Sequence, residues 1–362
     1  MDLSVAGLMF AISRRAAELG ASAGALGLLG SIWFAPYVAM SLVSGRLSDR
    51  FGRRRIALIA PCVTLAMSLA CARTSNVGAL IALTAVFGLG LGCFWPPVMA
   101  WISDGVRGAA LHARLTGFGV AWNTGLLCGF ALTGYVFRQR PSLAFDIPAL
   151  GIVAIFVLLL LPARMPCSGF VPATSENIPT GRGFRKTAWL ASFAVQLATS
   201  GVAALFPQLA THLGIQADAH GALLAVGRGA ALVMVVVLQV LTFWHARLWP
   251  LWLAQGVCAV AALIVGVGSA WWLFMAAFAA MGAVAGYSYQ ASVFFTLDEM
   301  AEKGKGTGLH EAFLASGMFS GPLLAGWAGS AFGLSAPYYF CAASLVVAVA
   351  VQMWVVWLRR RG

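Results

Sequence analysis

Gly45-Arg46-Leu47-Ser48-Asp49-Arg50-Phe51-Gly52-Arg53-Arg54-Arg55 joins two long apolar runs, 24–45 before it and 55–73 after it. Five arginines crowd into this stretch, while neither run carries a charge between its ends. About 20 apolar residues span the hydrocarbon of a bilayer, so the stretch reads as a tight charged turn between two membrane helices. Gly45 lets the two helices approach closely, and Gly52 permits a sharp reversal. Asp49 is suited to face a helix N-terminus, whose dipole favours an anion.

The rest of the chain repeats that pattern. Of 362 residues, 61% are hydrophobic and 9% charged, against about 25% charged in ordinary soluble domains. That excludes a soluble enzyme, a nucleic-acid binder, a disordered protein and a secreted disulfide scaffold. Apolar segments lie at 2–18, 24–45, 55–73, 76–101, 113–137, 143–162, 188–211, 219–243, 248–268, 270–296, 306–332 and 335–358. The expected fold is therefore an all-α polytopic membrane protein with twelve transmembrane helices. The longest polar stretch, 162–187, divides it into an N-terminal six-helix bundle (1–161), a cytoplasmic linker and a C-terminal six-helix bundle (188–362). With connectors this short, the first span stands out. It has at most 17 or 18 residues before Leu19-Gly20, so either that helix is short or the true start lies upstream of Met1.

The net charge of +12 follows from topology. With the N-terminus in the cytoplasm, 17 of the 23 Lys and Arg fall in cytoplasmic connectors and five outside, with Arg228 mid-helix. Cytoplasmic loops are the ones enriched in Lys and Arg. The chain is expected in the plasma (inner) membrane with both termini cytoplasmic, its basic residues meeting lipid and no nucleic acid. The seven cysteines form no CxxC pair, so no disulfide frame or metal site is expected, and no cofactor.

The halves resemble each other. Gly88, Gly92, Trp95 and Asp104 match Gly282, Gly286, Tyr289 and Asp298 at an offset of 194. Gly125-x3-Gly129-Phe130-x2-Thr133-Gly134 matches Gly317-x3-Gly321-Pro322-x2-Ala325-Gly326 at an offset of 192. A parallel duplication of this kind implies two pseudo-symmetric bundles with a site between them near mid-bilayer.

The 45–55 stretch resembles the loop signature G-x-x-x-D-R-x-G-R-R of the major facilitator superfamily, and with the twelve spans, linker and repeat the resemblance covers the whole chain. It implies the superfamily fold and a gating role for Gly45, Asp49, Arg50, Gly52 and Arg53. Asp49 would meet the start of the eleventh helix, here Gly304-Lys305-Gly306-Thr307-Gly308, and Arg50 or Arg53 would pair with Asp104. The alternative is that the arginines are topology anchors. Departures exist. Thr84 stands where the fourth helix often carries an arginine, and Phe130 and Thr133 replace a proline and a glycine of the drug/proton antiporter motif. Both weaken that assignment.

Ionisable groups inside the membrane are functional candidates by default. Arg228 lies mid-way along the eighth span and suits an anionic group. Glu311, with His310 beside it, lies about one turn into the eleventh span, where a carboxyl can take up a proton. These two are the expected proton-coupling pair. Trp33, Tyr37, Trp95, Asn123, Gln196, Tyr289 and Gln290 are the remaining cavity candidates. Arg14, Arg15 and Glu18 lie toward the outer end of the first span. Arg14 and Arg15 point about 100° apart on a helix, so at most one faces the cavity, and the outer surface is the expected position. No ATP-binding loop and no HExxH cluster is present, so the chain is expected not to be an enzyme. The expected function is a secondary active transporter, a monomer moving a small organic solute by alternating access, driven by protons. The alternatives are a non-transporting receptor or assembly protein on the same fold, or a multidrug exporter.

Overall fold

The computed structural model describes residues 1–103, 108–161, 184–241, 243–245, 247–299 and 303–361. Every regular element among them is a helix. In lipid each backbone N–H and C=O needs a partner inside its own segment, and the helix supplies it.

The first six spans contain nine helices. They are α1 (Asp2–Glu18), α2 (Ala23–Ser31) with α3 (Phe34–Phe51), α4 (Arg53–Ala57) with α5 (Ile59–Arg73), α6 (Val77–Gly92) with α7 (Trp95–Ser103), α8 (Gly108–Gln139) and α9 (Leu143–Leu160). The next six are continuous: α10 (Arg185–His212), α11 (Ala217–Val240), α12 (Trp249–Val267), α13 (Trp271–Glu299), α14 (Lys303–Phe332) and α15 (Ala336–Arg361). The α6–α7 break has a sequence cause. Pro96 and Pro97 open α7, where a missing N–H costs little, and Cys93 and Phe94 donate to Gly90 and Leu91 in a tightened turn. Among the described residues, ten stretches are long and apolar enough to cross a membrane. Beside them, α1 has 17 residues, and α14 is diluted by glycine, serine and charge.

The chain divides into two compact units. The first comprises Met1–Gly20, Ile32–Glu176 and Gln216–Ala222; the second comprises Ala21–Ser31, Asn177–Ile215 and Leu223–Gly362. Each unit thus takes in one short segment from the other half of the sequence.

Glycine contacts show that the sequence repeat is a repeat of packing. In the first unit a Cβ on Gly88 would overlap the Trp33 carbonyl, and one on Gly92 would sit 2.8 Å from the Tyr37 oxygen. In the second unit a Cβ on Gly282 would overlap the Gly227 carbonyl, and one on Gly286 would sit 2.7 Å from the Ala231 oxygen. All four pairs keep the offset of 194. Likewise Gly129 sits on the Leu3 carbonyl and Gly321 on that of Leu197. The turns after α1 and α10 repeat as well, with Gly20 at φ 79° and Gly214 at φ 68°. Small residues let membrane helices approach until backbones touch.

The exchanged segments obey the same symmetry. In the first unit the start of α11 crosses α8, with a Gly134 Cβ position 2.8 Å from the Ala217 oxygen and a Gly221 one 2.5 Å from that of Phe130. In the second, α2 crosses α14 through Gly27, Gly326 and the Pro322 carbonyl. The locks on these crossings differ. Arg138 pairs with Asp218 at 2.5 Å, whereas at the equivalent place the Gly24 amide donates to Ser330 Oγ at 2.9 Å.

Candidate functional site

The second unit gathers a polar set on α13 and α14. Tyr289, Ser292 and Thr296 recur at three- and four-residue spacing along α13, so they share one face. Facing them, His310 is buried at 1% exposure, while the Glu311 side chain is 58% exposed. Ser292 Oγ and His310 Nδ1 lie 2.7 Å apart. The Tyr289 hydroxyl donates to Glu311 Oε1 at 3.5 Å, and the Tyr289 and His310 ring centroids are 5.1 Å apart. His310 Nε2 is 3.8 Å from Glu311 Oε1. Three of the expected residues, Tyr289, His310 and Glu311, therefore meet. A carboxyl on the open side and an imidazole on the closed side form a short path along which a proton can be held.

Thr296 Oγ1 donates to the Ser292 carbonyl at 2.6 Å and accepts from Trp189 Nε1 of α10 at 2.8 Å. The Trp189 ring stacks on Phe313 of α14 with centroids 5.5 Å apart. Ser292, Thr296 and Trp189 were not expected from the sequence. The signal was present in the Tyr289-x2-Ser292-x3-Thr296 spacing, which puts hydroxyls on one stripe of an apolar helix.

Arg228 is half-buried on α11, one residue beyond the Gly227–Gly282 crossing. Among the described residues its guanidinium has no hydrogen bond or ion pair. The side chains of Gln196 and Gln290 are likewise half-buried and without hydrogen bonds among the described residues.

In the first unit, Trp33 caps α3, stacks on Phe34 at 3.8 Å and lies 5.9 Å from Tyr37. Trp95 lies 5.7 Å from Phe118, which stacks on Trp122 at 6.5 Å. Asn123 is tied to its own helix, its Nδ2 donating to the Gly119 carbonyl at 2.9 Å.

In the 45–55 stretch, Gly52 takes φ 95°, and α3 ends there as α4 begins. This is a left-handed conformation that disfavours a side chain. Gly45, Asp49 and Arg50 lie in the last turns of α3, and Arg53 opens α4. Asp104, expected as the partner of Arg50 or Arg53, lies outside the described residues, as does most of the 162–187 linker. Arg14 departs from the expected surface position. Its side chain is 8% exposed and its Nε binds Glu18 Oε1 at 2.9 Å. Four-residue spacing brings the two onto one face of α1.

The major facilitator superfamily profile matches residues 1–242 and again 188–362. The chain belongs to the major facilitator superfamily. As a superfamily member it is a multi-pass membrane protein. It is 26% identical over 349 residues to the 3-(3-hydroxy-phenyl)propionate transporter of Escherichia coli, covering 90% of this chain and 82% of that one. Shorter matches join it to an uncharacterised transporter of the same type from Mycobacterium tuberculosis (39% over 106 residues) and to the 4-hydroxybenzoate transporter PcaK of Pseudomonas aeruginosa (33% over 104). Each takes in 28% of this chain, and the matches span 18% and 23% of those proteins. Among solved structures, a bacterial homologue of the human lysosomal transporter Spinster, inward-facing and occupied, superposes with a TM-score of 0.70 at 15% identity, covering 98% of this chain and 95% of that one. That similarity establishes the fold.

Proposed function

We propose that this superfamily member is a secondary transporter that moves an aromatic carboxylate by alternating access, coupled to protons. Arg228 carries the reading. A guanidinium half-buried within a span is costly unless paired, and this one has no partner among the described residues. A substrate carboxylate would supply the bidentate partner that arginine accepts best. The names of two relatives support the class, since hydroxyphenylpropionate and 4-hydroxybenzoate are both aromatic carboxylates. Trp33, Tyr37, Trp95 and Tyr289 offer ring faces for an aromatic body. Asn123, Gln196 and Gln290 offer amides for a hydroxyl. Glu311 and His310 hold the coupled proton. Gly45, Asp49, Arg50, Gly52 and Arg53 form the gating loop on the cytoplasmic face of the inner membrane, with Asp104 as the expected partner of Arg50 or Arg53.

The test is reconstitution. Proteoliposomes should accumulate 4-hydroxybenzoate or 3-(3-hydroxyphenyl)propionate under an imposed pH gradient, and a protonophore should abolish accumulation. In detergent the same compounds should raise the melting temperature of the wild type and not that of Arg228→Ala. Stabilisation that survives Arg228→Ala removes the anion assignment. Glu311→Gln should lose uphill transport while keeping exchange, and an unchanged pH dependence in that variant removes the proton assignment.

A further inference from the structure

Two apolar grooves flank α9 in the first unit. One, about 260 Å³, runs between α7 and α9 and is lined by Phe94, Val98, Trp101, Ile155, Leu158 and Leu159. The other, about 100 Å³, runs between α5 and α9 and is lined by Pro61, Cys62, Leu65, Ile152, Val153 and Phe156. At 3.6 residues per turn, the two sets of α9 residues lie roughly 110° apart around the helix. Behind the larger groove, Ala57, Ala60 and Phe94 form a buried cluster against which Val98, Ile155 and Leu159 pack.

Both grooves lead up to one cation. The last carbonyls of a helix have no partner within it, and the dipole there favours a positive charge. Arg54 of α4 meets both needs, its Nε donating to the carbonyl of Leu159, a residue that lines the larger groove. The smaller groove begins at Pro61 and Cys62 in the first turn of α5, the next helix after Arg54. The guanidinium is thereby fixed over the end of α9. Among the described residues, Arg54 has no ion pair and its terminal nitrogens have no hydrogen bond. An apolar groove excludes a polar solute, while free guanidinium donors at its rim call for an anion. An anionic phospholipid joins the two chemistries in one molecule. Its phosphate accepts bidentate bonds from arginine, its chains match apolar walls, and basic pockets between membrane helices hold anionic headgroups.

We propose that the end of α9 is the seat of one anionic diacyl phospholipid. The phosphate binds Arg54 above the helix, and one acyl chain descends each groove, the two parting by about 10 Å, the width of a helix. This site is separate from that of the transported solute and does not depend on the roles of Arg228 or Glu311.

The test is native mass spectrometry of the full chain, stripped of lipid in detergent and titrated with three lipids. They are phosphatidylglycerol, phosphatidylcholine of the same chains, and lysophosphatidylglycerol, which has a single chain. Phosphatidylglycerol should bind at one site about fivefold more tightly than phosphatidylcholine, the share of one arginine at a membrane surface. The single-chain lipid should bind more weakly than the diacyl form. Arg54→Gln should remove the preference between headgroups, and Arg55→Gln, at an exposed neighbour, should keep it. Cys62→Trp fills the smaller groove and should lower the diacyl form to the single-chain level. Melting temperatures within a few degrees of wild type show that the variants are folded, and the wild-type lipid series decides without them. Equal binding of the two headgroups, or equal loss in Arg54→Gln and Arg55→Gln, leaves only general surface attraction and overturns the site. Single-chain binding equal to diacyl binding overturns the two-groove seat. A dimer in place of the lipid-bound monomer puts a second copy in the grooves and overturns the lipid.

Discussion

Gly286→Ala should destabilise the protein, although alanine is the better helix former. The added Cβ would sit 2.7 Å from the Ala231 carbonyl oxygen and 3.2 Å from its Cα, where ordinary contact begins at 3.4 Å. The atoms in the way are backbone, so no rotamer change relieves the overlap and α11 and α13 must part by roughly 0.7 Å. Overpacking of this kind costs about 1–3 kcal/mol. Against it stands the helix propensity gain of up to ~1 kcal/mol. With the full gain subtracted, the net cost is about 0–2 kcal/mol. Gly256 on α12 is the control, because a Cβ there meets nothing within 4 Å, and Gly256→Ala should keep the propensity gain. Thermal unfolding of the two purified variants, followed by tryptophan fluorescence, measures the difference. If Gly286→Ala melts at or above Gly256→Ala, the close approach of α11 and α13 is not what holds that crossing.

Two further outcomes follow from particular contacts. Gln255 and Gln352 exchange side-chain hydrogen bonds at 3.1 and 2.8 Å in the buried contact of α12 with α15. Gln255→Leu alone should cost about 1–3 kcal/mol by stranding the Gln352 amide, and Gln255→Leu with Gln352→Leu should recover most of it; unfolding midpoints of the set decide. Asp218→Asn should cost less than about 1 kcal/mol, since the Arg138 side chain is 50% exposed. The reversed pair Arg138→Asp with Asp218→Arg should restore the midpoint, and a failure to do so would mean that the ion pair is incidental.

Much of the fold was legible because lipid reduces the choice to helices, and because the duplication writes the packing twice. Gly88 and Gly282 were matched as repeat positions before any contact was known, and both prove to be close approaches, whereas the close approach expected at Gly45 is not found, since a Cβ there meets nothing within 4 Å. The breaks at Trp33 and Phe94 were harder to read, since prolines in membrane segments signal a bend without saying whether the helix stops. At the site, Arg228, His310 and Glu311 were legible because charge in an apolar helix is conspicuous. Ser292, Thr296 and Trp189 were not, because hydroxyls and indoles are common in such helices and their meaning lies in the partner. Arg14 was misread for a related reason: its charge suggested the surface, while Glu18 one turn away supplies its counter-ion.

The two exchanged crossings, α11 on α8 and α2 on α14, are backbone laid against backbone at Gly134 with Gly221 and Gly326 with Gly27. Side chains that interlock must unthread, one rotamer at a time, before two helices can separate. At these four glycines there is no side chain to unthread, although across α2 and α14 Ser31 Oγ also donates to the Phe319 carbonyl at 2.7 Å. The polar contacts at the ends of the two crossings respond unequally to their surroundings. Dissolved salt screens the half-exposed Arg138–Asp218 pair and leaves the uncharged Gly24–Ser330 bond alone, so ionic strength acts on one member of this symmetric pair of crossings and not on the other.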